Sequence, residues 1–149
     1  MTIARATLLA FALTLTAALP AAATATLTCE AEDRTVAFSL QGNIGRGAGA
    51  VLQITSGSIR LKAVRGKYEA IEFEIEPAQL VQQWVFEKEL RIGIQSAEKQ
   101  EMSLYLAIIA QQMKSSGDGD RYQGRYVLKI QGPKGTSELK GRINNCEAG

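Results

Sequence analysis

Arg121 to Cys146 reads RYQGRYVLKIQGPKGTSELKGRINNC. Tyr122, Gly124, Tyr126, Leu128 and Ile130 fall on alternate positions, with polar or charged residues between most of them. Leu139, Gly141 and Ile143 resume the alternation after Gly132-Pro133-Lys134-Gly135. A period of two is that of a strand with one face buried. A Gly/Pro tetrapeptide between two such runs is a tight turn. The stretch is therefore two antiparallel strands, and it ends in Cys146. The chain has two cysteines, and the other, Cys29, lies far upstream. A Cys29–Cys146 bridge ties one end of the domain to the other. It closes a loop of over a hundred residues, worth about 4–5 kcal/mol as an upper figure in the chain-entropy model.

The same alternation extends upstream. Val36, Phe38 and Leu40 share a face, as do Leu52 and Ile54, then Ile59, Leu61 and Ala63. Gly42 to Gly49 reads as a glycine-rich loop or a distorted strand edge. Arg65-Gly66-Lys67 reads as a short hairpin connection, and Ile71, Phe73 and Ile75 alternate with Glu72, Glu74 and Glu76 beyond it. Folding that hairpin puts Arg60 near Glu72, so the acidic comb reads as a solvated face beside a basic neighbour. Pro77 opens PAQLVQQW, where proline at a first helical position and Glu76 beside it predict a helix of about two turns. Leu80, Val81 and Trp84 would line one side of it, giving Trp84 a packing role; a partner hot spot is the other reading. Leu90, Ile92 and Ile94 form a further strand. Met102 to Ala110 is the longest alternating run, and Tyr105, Ala107 and Ile109 predict some cover on its second face too. These counts predict an all-β fold: an antiparallel barrel or closed sandwich of about eight strands with one short helix.

The first residues differ in character. Arg5 precedes the apolar Ala6–Leu19, which is shorter than the roughly 20 residues of a spanning helix. Pro20 and Ala23-Thr24-Ala25 follow, the latter an A-x-A cleavage pattern. Residues 1–25 thus read as a secretory signal peptide and 26–149 as a single domain, with a cut after Ala23 as the alternative. Acylation of Cys29 is disfavoured, because Thr28 stands where that signal wants a small residue. No other long apolar run follows, so the expectation is a periplasmic or secreted protein with no integral membrane segment after cleavage. Paired cysteines suit that oxidising compartment. Net charge is +2, too small an excess of cations to suggest nucleic acid.

The residue inventory narrows the chemistry. With no histidine in the chain, Ser-His-Asp and Cys-His arrangements and the usual zinc sites are absent. Bridged cysteines leave no thiolate nucleophile. Asp118-Gly119-Asp120 lacks the later ligands of a calcium loop. Gly45 to Gly49 lacks the Gly-Lys-Ser/Thr of a phosphate loop. The expectation is a non-enzymatic protein with no metal and no cofactor. The most polar, glycine-rich connection is Ser115 to Tyr122, so the candidate binding residues are Ser116, Asp120, Arg121, Tyr122 and Tyr126.

Gly119-Asp120-Arg121-Tyr122, Tyr126, Gly132, Glu138-Leu139 and Cys146 resemble the C-terminal part of periplasmic inhibitors of C-type lysozyme. Leu27-Thr28-Cys29-Glu30 with Arg34-Thr35-Val36 is similar to their first strand. The resemblance implies a small β-barrel whose Ser-Gly-x-x-Tyr loop enters the lysozyme cleft. Asp118 stands here where that motif has serine. The function expected is binding of a periplasmic or extracellular protein, as an inhibitor or immunity-type protein. The alternatives are a barrel holding a small apolar ligand and a structural envelope protein. An outer-membrane barrel needs two aromatic girdles, and the chain has few aromatic residues to build them.

Overall fold

The computed structural model describes residues 24–45, 50–63, 69–114 and 119–149. Most of the expected signal peptide, the Arg65-Gly66-Lys67 connection and Ser116 lie outside these residues. The strands are β1 (Thr24–Glu32), β2 (Val36–Gly45), β3 (Leu52–Leu61), β4 (Ile71–Ile75), β5 (Leu80–Phe86), β6 (Glu89–Gln95), β7 (Ser103–Gln112), β8 (Asp120–Gly132), β9 (Gly135–Arg142) and β10 (Asn145–Ala148). They form one antiparallel sheet in the order β4-β3-β2-β1-β10-β8-β7-β6-β5, with β9 also on β8. The sheet curls into a half-barrel. Thr24 and Ala25 already pair with Gly45 and Ile44, so β1 begins two residues before the expected domain boundary.

Alternation places the core. Leu27, Leu40, Ile59, Leu61, Ile94, Leu104, Leu106 and Leu128 are all almost fully buried. The inward side chains of nearly every strand join in one apolar cluster. The second face of β7 is only half-covered, with Tyr105, Ala107 and Ile109 partly exposed. Gly42 sits at a register shift between β2 and β3. A Cβ there would lie 2.5 Å from the Gln53 carbonyl oxygen, so close backbone approach requires the glycine.

The expected helix is a correction. Only Pro77–Gln79 form a helical turn, a short 3-10 one, and Leu80–Phe86 is strand β5. Proline at the first position and a Gln79 side-chain oxygen accepting the Glu76 N–H at 3.2 Å do start a turn. The following Trp84-Val85-Phe86 is β-branched and aromatic, however, and pairs with β6 as far as Phe86 opposite Glu89. A short isolated helix has a costly nucleus, and a ladder with packed neighbours outweighs it.

Cys29 and Cys146 are bonded and lie directly opposite each other on β1 and β10. The first and last strands are thus neighbours, as the cysteine pair predicts. Their junction lies in the middle of the sheet, however, and the path of the sheet ends at β4 and β5. Among the described residues no backbone ladder joins β4 to β5. β5 instead approaches β3, where the Gln83 Oε1 accepts the Leu52 N–H at 2.6 Å. Lys99, between β6 and β7, donates from Nζ to the Glu72 carbonyl on β4 at 2.7 Å.

Candidate functional site

Strand β8 distributes the expected site residues by alternation. Asp120, Tyr122 and Tyr126 share the inward-facing set, whereas Arg121 is exposed on the outer face. Asp120 and Arg121 pair with Ala148 and Glu147 of β10. The Gln112 Nε2 donates to the Asp120 Oδ1 at 2.6 Å. The Met113 N–H donates to the Arg121 carbonyl at 2.7 Å. Tyr122 is half-buried, and burial, followed by the Asp120 charge, pushes its phenol above the usual tyrosine range. Asp120, Gln112 and Tyr122 therefore make a small polar array at the start of β8.

Tyr126 does not belong to that array. It is 1% exposed, and its ring meets Phe38 edge-on at 5.3 Å. Its hydroxyl donates to the Asp33 carboxylate on the β1–β2 connection. Asp33 also accepts the Thr35 and Val36 N–H groups at 2.8 and 2.9 Å. Burial pushes the Asp33 carboxyl up, but the Tyr126 hydroxyl and these donors hold it below its ordinary value. Opposite Tyr126 on β9 stands Gly141, whose missing side chain leaves room for the ring. Tyr126 anchors a hairpin and offers a partner no surface.

No family model, curated protein or solved structure matches the chain.

A second surface escapes the sequence reading. Trp84 and Phe86 are 51% and 60% exposed. Their rings lie 6.0 Å apart on the outer face of β5. Trp84 faces Arg91 across the ladder and Phe86 faces Glu89, and those two charges pair with each other. Val81 is also exposed. Once Leu80–Phe86 is read as a strand, Trp84 and Phe86 fall on the face opposite Gln83 and Val85. The alternation in QQWVF was the available signal, and Pro77 masked it.

The outer faces differ in charge. Strands β1 to β4 carry Glu30, Glu32, Glu72 and Glu74 against Arg60. They line an open cleft of about 630 Å³ that includes Glu30, Glu32, Arg60, Glu72 and Asn144. Two of these four glutamates are matched internally. Arg60 bonds Glu72 at 3.1 Å, as the hairpin reading predicts, and Lys62 bonds Glu32 at 2.8 Å. These cations hold both carboxyls below their usual range. Strands β8 and β9 are the reverse, with Arg121, Arg125, Lys129, Lys140 and Arg142 against Glu138. Among the described residues no group of three His, Cys, Asp or Glu side chains could hold a metal ion.

Proposed function

We propose that the chain is an exported, non-enzymatic β-barrel protein that binds another macromolecule. The observation that carries this reading is the Trp84–Phe86 pair on β5. Large exposed aromatics on a rigid strand are unusual on a protein with no partner and are the residues that dominate binding energy. The apolar interior packs as one cluster, which favours a surface binder over a carrier of a small apolar ligand. Barrel closure is part of the proposal: the Gln83–Leu52 and Lys99–Glu72 bonds span the gap between the sheet's ends in place of a ladder.

The test is capture of partners from the compartment of export by tagged protein. Trp84→Ser with Phe86→Ser should reduce capture at least tenfold, about 1.4 kcal/mol, with melting temperature unchanged. Capture that is indifferent to both substitutions would reject this surface. The narrower inhibitor reading rests on the resemblance around Asp120 to Tyr122. It predicts inhibition of a C-type lysozyme at micromolar concentration or below, lost in Asp120→Ala with Arg121→Ala. An uninhibited lysozyme discards that reading and leaves the β5 surface to be judged separately.

A further inference from the structure

Near-neutral net charge conceals a concentrated basic face. Arg125 on β8 lies directly opposite Arg142 on β9. Like charges so placed repel and weaken the sheet. Both are exposed, and among the described residues neither forms an ion pair. The carboxylate on this face that could help, Glu138, is taken by Lys140 at 2.8 Å. Two guanidiniums held side by side without a counter-charge form a ready fork for phosphate oxygens.

The surroundings extend the site. Next to Arg125 across the β7–β8 ladder stands Ile109, and Ala107 faces Val127 one step on. These three apolar side chains are half-exposed on the outer face. Further along, Tyr105 faces Lys129. Both line a hollow of about 250 Å³ with Gln95, Ser103, Gln131 and Thr136. Cations, an apolar stripe and a polar hollow thus share three adjacent strands. That is a strip about 10 Å wide at strand spacing, which is what a curled sheet can lay tangent to a plane.

We propose that the outer face of β7, β8 and β9 docks on a membrane surface through phosphate-bearing anionic lipid headgroups. Arg125 and Arg142 take phosphate oxygens, and Lys129 directs a neighbouring headgroup toward the polar hollow. Ile109, Ala107 and Val127 meet the boundary where headgroups give way to acyl chains. Free phosphate would satisfy the arginines and leave the apolar stripe in water. A second copy of the chain fits less well: on its acidic face Glu32 and Glu72 are already paired with Lys62 and Arg60, which leaves Glu30 and Glu74, and these carboxylates would not engage the apolar stripe. Only β6 lies between this surface and Trp84 on β5, and the lipid contact rests on Arg125, Arg142 and Ile109 whether or not a protein partner binds at Trp84.

The experiment is co-sedimentation of the purified protein with phosphatidylcholine vesicles, with and without a third of phosphatidylglycerol, at low and high salt. Binding should require the anionic lipid and weaken with salt. Arg125→Glu is the informative variant. It converts a repulsive cross-strand pair into an attractive one, so the melting temperature should hold or rise. Vesicle affinity should fall about 25-fold, two charge units at about fivefold each. Ile109→Ser should weaken vesicle binding as well. Equal binding to neutral vesicles, or unchanged binding by Arg125→Glu, overturns the proposal. Displacement by inorganic phosphate at the same phosphate concentration, with Ile109→Ser silent, would reassign the face to a free anion. Binding to an acidic protein with none to anionic vesicles would also overturn it.

Discussion

Replacing Tyr126 with phenylalanine tests the anchor between β8 and the β1–β2 connection. The change removes one hydroxyl and keeps the ring, so the edge-on contact with Phe38 and the fit over Gly141 remain. What is lost is the bond to the Asp33 carboxylate. Hydrogen bonds to charged groups contribute about 1.5–3 kcal/mol. Asp33 is part-exposed and keeps its bonds to the Thr35 and Val36 N–H groups, so the lower end, about 1.5–2 kcal/mol, is expected. The loss should depend on pH. The folded Asp33 pKa is depressed, so its contribution is present above the unfolded value of about 3.9 and is lost as pH falls through the folded value. Urea unfolding at neutral pH should show the full difference between wild type and Tyr126→Phe. The difference should shrink as the pH falls below the ordinary carboxylate range and through the depressed folded value, where the folded Asp33 takes up its proton. In a double-mutant cycle with Asp33→Asn, the two changes should be non-additive. Equal destabilisation at neutral and strongly acidic pH, or additive energies, would refute the reasoning.

Three further outcomes follow from the packing. Cys29→Ser and Cys146→Ser should each lower unfolding free energy by about 2–5 kcal/mol, with the double variant no worse than either single; two free thiols in unfolded, unreduced protein would contradict the bridge. Gly124→Ala should destabilise by about 1–3 kcal/mol or more in thermal melts, because its Cβ would overlap the Ile109 carbonyl and Ala110, and Gly141→Ala should do likewise through the Tyr126 ring; a wild-type melting temperature would show that the strands separate at no cost. Tyr122 should ionise above ordinary tyrosines in an ultraviolet titration, and Asp120→Asn should bring it down, since burial and then Asp120 raise it; a titration unmoved by Asp120→Asn would remove that charge as a cause.

The sequence by itself determined which residues turn inward and that the chain is built of strands. Alternation is a local property: in a strand, neighbouring side chains point to opposite faces whatever the partner. Val36, Phe38, Leu40, Ile71, Phe73, Ile75, Leu104 and Leu128 were therefore legible, as were the Cys29–Cys146 pairing and the Arg60–Glu72 contact across a short hairpin. Tertiary structure decided the rest, because strand partners are chosen over long sequence distances. It set β1 and β10 in the middle of the sheet and left β4 and β5 at the ends of its path. It turned Leu80–Phe86 from a helix into a strand, since pairing with β6 outweighed the local start signal at Pro77, and that exposed Trp84. Tyr126 turns inward by the same alternation, but its partner Asp33, 93 positions away, came only from the tertiary structure. The charge balance behaved in the same way. A net +2 is silent about place, and only the tertiary structure shows the basic side chains gathered on one face of β8 and β9 while Glu32 of β1 and Glu72 of β4 meet Lys62 and Arg60.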